Sequence, residues 1–147
     1  MFKHILIPTD GSSVAFKAVK AGVALAKETG AKITGYYAVD PFEPSVYGDG
    51  YVISPKMVAE FERRAKKAGE KHVAKIGRSA KAAGVPFHRL VLKATTPYEG
   101  IVDAAKKQKC DVIFMASHGR RGLNALIMGS VTNKVLSHSK IPVLVYR

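Results

Sequence analysis

Short apolar runs alternate along this chain with longer stretches in which apolar residues recur every three or four positions. The run "HILI" at residues 4–7 is stopped by Pro8 and a loop of Thr9, Asp10, Gly11, Ser12 and Ser13. Val14, Ala18, Ala21 and Leu25 then mark one helical face that ends near Gly30. "KITGYYAV" predicts a second strand, which enters a loop carrying Asp40, Pro41, Pro44, Gly48 and Gly50 and lasting to Ser54 and Pro55. Met57, Phe61, Ala65, Ala68, His72 and Ile76 recur at helical spacing, so a long amphipathic helix with these six on its apolar stripe is expected, closing at Gly84, Val85 and Pro86. "FHRLVL" is the third strand. Thr96 as N-cap and Pro97 at the first helical position open a helix carrying Ile101, Val102 and Ala105. "DVIFMA" is the most apolar strand and "IPVLVY" the last, with a helix between them that starts at Gly129 or Ser130.

Five nearly continuous apolar strands separated by four helices predict an α/β fold: a single open doubly wound five-stranded parallel sheet with helices on both faces. Right-handed crossovers leave few other topologies. If the sheet winds outward from strand one in one direction and from strand four in the other, the loops leaving those two strands meet over the crevice where ligands bind.

At 147 residues and 47% hydrophobic, with no linker-like stretch, residues 1–147 are expected to form one domain. The start Met1-Phe2-Lys3-His4 shows no cleavage-site pattern, and no apolar run approaches about 18 residues, so a cytoplasmic protein with no membrane partner is expected. Cys110 is the single cysteine; it precedes a buried-looking strand and reads as a packed structural thiol. The net charge of +13 is concentrated between Lys56 and Lys93, where 11 Lys/Arg stand against Glu60, Glu62 and Glu70. That pattern reads as a solvated helix face. Contact with nucleic acid is expected to be non-specific and salt-dependent at most, because no base-reading module accompanies it. His72, on the apolar stripe, reads as a packed core edge.

Candidate chemistry sits in two loops. A helix beginning at Gly129-Ser130 offers first-turn N–H groups and a positive dipole end to a phosphate, and glycine lets the anion approach the backbone. Ser130 and Thr132 add hydroxyls, while His118, Arg120 and Arg121 add cationic or hydrogen-bonding groups. Asp10, on the facing loop, is an acceptor suited to ribose hydroxyls or a metal-water shell. By itself a Gly-Ser pair merely caps a helix; two facing loops favour a phosphate-bearing ligand. No Gly-x4-Gly-Lys-Ser/Thr loop occurs, and Ile53 stands where "GDG" at Gly48 would need a third glycine for a dinucleotide fingerprint.

"ILIPTDGS" at the end of strand one, "SHG" followed after nine residues by "GS", and the terminal "IPVLVYR" resemble the universal stress protein family over essentially the whole chain. The nucleotide-binding branch of that family is marked by Gly-x2-Gly-x9-Gly-Ser/Thr. Gly119, Gly129 and Ser130 keep the second half of this motif, and Ala116 replaces its first glycine. The resemblance implies an adenosine-binding, Rossmann-like α/β fold. It places Pro8, Thr9 and Asp10 at the adenosine end, with Asp10 on the ribose, and the backbone of Val39 at the adenine edge. Ala116 and Gly119 would approach the ribose and phosphates, and Gly129, Ser130, Val131 and Thr132 would cradle the phosphate chain. It also implies a homodimer through the last strand, Ile141 to Tyr146.

The expected function is that of a cytosolic stress-response protein binding ATP or AMP, with or without Mg2+, as a sensor or switch. No carboxylate stands near the Gly129 end in sequence, so any hydrolysis is expected to be slow. The alternatives are a slow nucleotide-hydrolysing or adenylate-transferring enzyme using His118, and a basic nucleic-acid-associated protein.

Overall fold

The computed structural model describes residues 1–44, 50, 52–119 and 128–147. Strands β1 (His4–Pro8), β2 (Lys32–Val39), β3 (Phe87–Lys93), β4 (Val112–Ala116) and β5 (Val143–Tyr146) form one parallel sheet in the order β3-β2-β1-β4-β5. Helices α1 (Ser13–Thr29), α2 (Pro55–Ala82), α3 (Pro97–Lys107) and α4 (Ser130–His138) make the four crossovers. This is the doubly wound arrangement the alternation predicts, with the switch point between β1 and β4.

Alternate strand residues feed two cores. Ile5, Ile7, Ile33, Val112 and Phe114 point toward α1 and α2, while Leu6, Tyr36, Ile113 and Met115 point toward α3 and α4. Each fully buried Ile or Leu contributes about 1.5–3 kcal/mol relative to exposure, and both faces of β1 and β4 are sealed in this way. Gly22 lets α1 lie close on the sheet: a Cβ there would stand 2.7 Å from Ile7 Cδ1. Helix α1 is capped at both ends. The Ser12 hydroxyl accepts the Ala15 N–H at 3.1 Å, and Gly30 adopts the left-handed conformation (φ +68) that stops it.

Two details differ from the sequence reading. The buried positions of α2 are Gly69, Val73, Ile76 and Ala80, whereas Phe61 and Ala68 are exposed. Helix α2 meets the sheet through small residues: a Cβ at Gly69 would stand 3.1 Å from Val91, and one at Gly77 2.8 Å from Phe87. A pattern of large apolar residues does not reveal such a seam. Phe61 instead packs edge-on against Phe42, ring centroids 5.2 Å apart. At α3, Thr96 occupies the N-cap position, but its hydroxyl donates to the Glu99 carboxylate rather than accepting a helix N–H.

The basic face of α2 is partly self-neutralised. Arg63 and Arg64 both hold Glu60, and their hydrogen bonds pull its carboxyl down to about 2. Cys110 is buried, and burial pushes its thiol up to about 11, as suits a structural residue. Among the described residues no helix is long and apolar enough to cross a membrane.

Candidate functional site

Main-chain and side-chain bonds within the loop after β1 fix the position of Asp10. The Thr9 N–H donates to the Tyr36 carbonyl at 2.9 Å, and the Thr9 hydroxyl accepts the Gly11 N–H at 3.1 Å. Asp10 Oδ1 accepts the Ser12 N–H at 2.9 Å, an Asx turn leading into α1. Gly11 has φ +81 and lies against the imidazole of His72, leaving no room for a Cβ. His72 in turn stacks on Tyr37 at 5.5 Å. The residue expected at a packed core edge therefore also supports this loop from below.

The loop after β4 is anchored at Ser117. Its N–H donates to the Tyr146 carbonyl at the end of β5, and its carbonyl accepts the Gly129 N–H, both at 2.8 Å. Its hydroxyl lies 3.0 Å from His118 Nδ1. Ser117 is buried and central to this geometry, yet only the "SHG" string gave any sequence signal of it. Gly129 is the N-cap of α4, and the Asn133 N–H donates to its carbonyl at 3.0 Å. The helix thus starts where the glycine-serine pair predicts, and the amides of Ser130, Val131 and Thr132 form its first turn, with no partner among the described residues.

The two loops meet. Gly119 lies directly against the Asp10 carboxylate, so that a Cβ on Gly119 would overlap Oδ2. At Gly129 a Cβ would press on the backbone of His118, 3.1 Å from its Cα. Pro8, Thr9, Asp10, His118, Gly119, Gly129 and Ser130 therefore gather around the carboxyl ends of β1 and β4, the place a doubly wound sheet offers to ligands.

Four expected site residues take more specific positions. Ala116 is the last residue of β4, and its side chain belongs to the core on the α1 face. Thr132 is 2% exposed, and its hydroxyl donates to the Ala116 carbonyl at 3.0 Å, so it braces α4 against β4 instead of serving as a free donor. Val39 is buried, and its carbonyl accepts the Ala94 N–H at 3.2 Å, tying the ends of β2 and β3. Val131 packs on the α3 and α4 core. Arg120, Arg121 and Gly48 lie outside the described residues.

The site combines first-turn amides, the Ser130 hydroxyl, glycine-lined backbone and a fixed carboxylate. Such a set can hold an anion at one end and hydroxyl donors at the other.

The family model of the universal stress protein family matches residues 1–147. The universal stress protein MJ0531 of Methanocaldococcus jannaschii is 34% identical over 149 residues, covering 100% of this chain and 83% of that relative. The solved structure of MJ0577 from the same organism superposes with a TM-score of 0.76 at 30% identity, covering 99% of this chain and 95% of the other. A universal stress protein solved in complex with cAMP shares the fold at 21% identity, with a TM-score of 0.72 and coverage of 99% and 97%. Matched from end to end in sequence and in fold, the chain belongs to the universal stress protein family.

Proposed function

We propose that this protein binds an adenine nucleotide, ATP or AMP, in the crevice between the β1–α1 and β4–α4 loops, and serves in the cytoplasm as a sensor or switch in a stress response. The observation that carries this reading is the approach of Asp10 to Gly119 beside the amino end of α4. A carboxylate fixed by the Ser12 N–H suits the two ribose hydroxyls, and the amides of Ser130, Val131 and Thr132 suit the phosphates. The net charge of +13 favours an anionic ligand at long range. The fold relative solved with cAMP supports the same ligand class. Mg2+, when present, would accompany the phosphates.

The replacement at position 116 is compatible with this reading, because the Ala116 methyl group faces the core. The protein acts as a homodimer in this reading, through antiparallel pairing of β5. That edge exposes Leu144 and Tyr146, both more than a third accessible, and an open apolar edge strand is normally covered.

Mass spectrometry of small molecules released on denaturing freshly purified protein, with calorimetric titration of ATP, ADP and AMP in the presence and absence of Mg2+, tests the assignment. Saturable binding of at least one of them is expected. Folded protein that gives neither heat nor a thermal shift at millimolar nucleotide would reduce Gly129-Ser130 to a helix cap.

A further inference from the structure

A second concavity lies on the face of the sheet covered by α3 and α4, where β3 extends beyond the cover of α3. It has a volume of about 460 Å3, and none of the residues expected around the nucleotide lines it. Its floor is the phenol of Tyr36. That residue is 1% exposed, and its hydroxyl lies against Gly100 and borders the groove. A tyrosine hydroxyl on a cavity wall can take a hydrogen-bond partner from whatever fills the cavity. Burial, reinforced by the Asp103 carboxylate, lifts this phenol to about 12, so it remains a neutral O–H whose oxygen can also accept.

The surroundings narrow the class of partner. Leu92, 42% exposed, and the ring of Tyr98 give the groove apolar walls. Glu99 and Asp103 stand four residues apart on α3 and share one side of it. Lys93 is paired with Glu62, Lys107 stands one turn beyond Asp103, and the Lys134 ammonium lies 5.4 Å from the Tyr98 ring centroid. The Asp103 carboxylate is the charge that acts on the Tyr36 phenol.

We propose that the groove binds a small organic molecule with an aromatic or apolar body and a protonated amine, the amine held between the Asp103 carboxylate and the Tyr36 hydroxyl oxygen. A carboxylate head would face Asp103 and Glu99, and a neutral head would forgo the charge of Asp103. The size suits one aromatic ring and a short chain.

Backbone-amide NMR of the full chain at low ionic strength, titrated with phenethylamine, 2-phenylethanol and 3-phenylpropionate, tests this with one body and three heads. The amine is expected to shift the amides of residues 92–104 saturably in the millimolar range, and the alcohol and the acid to bind more weakly. Tyr36→Phe, which keeps the ring, should weaken the amine about tenfold, the size of one hydrogen bond to a charged group. Asp103→Asn, at an exposed position, should weaken it about threefold. Shifts that are absent or fall outside residues 92–104, equal binding of the three heads, or wild-type affinity in Asp103→Asn would each overturn the proposal. Should Tyr36→Phe lose its dispersed spectrum, the exposed Asp103 variant still decides.

Discussion

Gly119→Ala places a methyl group where the Asp10 carboxylate now stands, and Asp10 must turn away to admit it. Within the protein this strains the contacts of Asp10, among them the turn bond from the Ser12 N–H to Oδ1, whose loss alone costs about 1 kcal/mol net on a part-buried loop. The fold should therefore survive with a slightly lower melting temperature. The ligand loses more. If the displaced carboxylate accepts the ribose hydroxyls, about 1.5–3 kcal/mol of charge-assisted bonding is forfeited, which is roughly a 10- to 150-fold rise in Kd. Calorimetric titration of ATP into wild type, Gly119→Ala, Asp10→Asn and the double variant measures this directly. Both substitutions act on one contact, so the double variant should lose clearly less than the sum of the two. Unchanged affinity in Gly119→Ala, or fully additive losses, would refute the assignment of Asp10 to the ribose.

Three further outcomes are expected. Ala116→Gly should destabilise the protein by about 1 kcal/mol in urea denaturation, through a lost core methyl and a freer strand backbone, and should not tighten ATP binding; tighter binding would show that the methyl crowds the crevice. His4 is held below its ordinary value of 6.5 by burial and by the Lys32 ammonium, against the opposing pull of Asp111, and its Nε2 lies 2.8 Å from the Thr34 hydroxyl. The unfolded chain thus binds a proton near 6.5 that the folded chain refuses, so this contribution is intact above that value and is lost as pH falls through it; a urea midpoint with the same acid slope in His4→Gln would assign the loss elsewhere. Leu144→Glu, on the outer edge of β5, should convert a dimer to a monomer in sedimentation, and a persisting dimer would move the interface off this strand.

The order of the elements was legible because each strand is a short apolar run bounded by a breaker, and β2 and the start of α4 fall where the pattern puts them. Glycine and alanine hid the rest. Gly69 and Gly77 carry the α2 seam by having no side chain, so the apolar periodicity followed Phe61 and Ala68 to the surface instead. Strand β4 is buried on both faces, which erases the alternation that would have revealed where Ala116 points. The Thr132 hydroxyl reads as a donor in sequence, and only the packing of α4 against β4 commits it to the Ala116 carbonyl. The approach of Gly119 to Asp10 joins two loops far apart in the chain, and the topology places them together without fixing which atoms touch.

Ser117 grips the chain on both sides of it: its N–H holds the end of β5, and its carbonyl holds Gly129. The two ends of the stretch 118–128 are thereby clasped together at Ser117 and Gly129. The chain between those ends can be exchanged as a cassette. Doubling its length would add only about 0.6 kcal/mol of closure entropy, while β4, the clasp and α4 keep their places. A protein built this way can be given a new recognition segment by loop grafting between Gly119 and Met128, which keeps the Gly119–Asp10 contact, without redesign of the sheet beneath it.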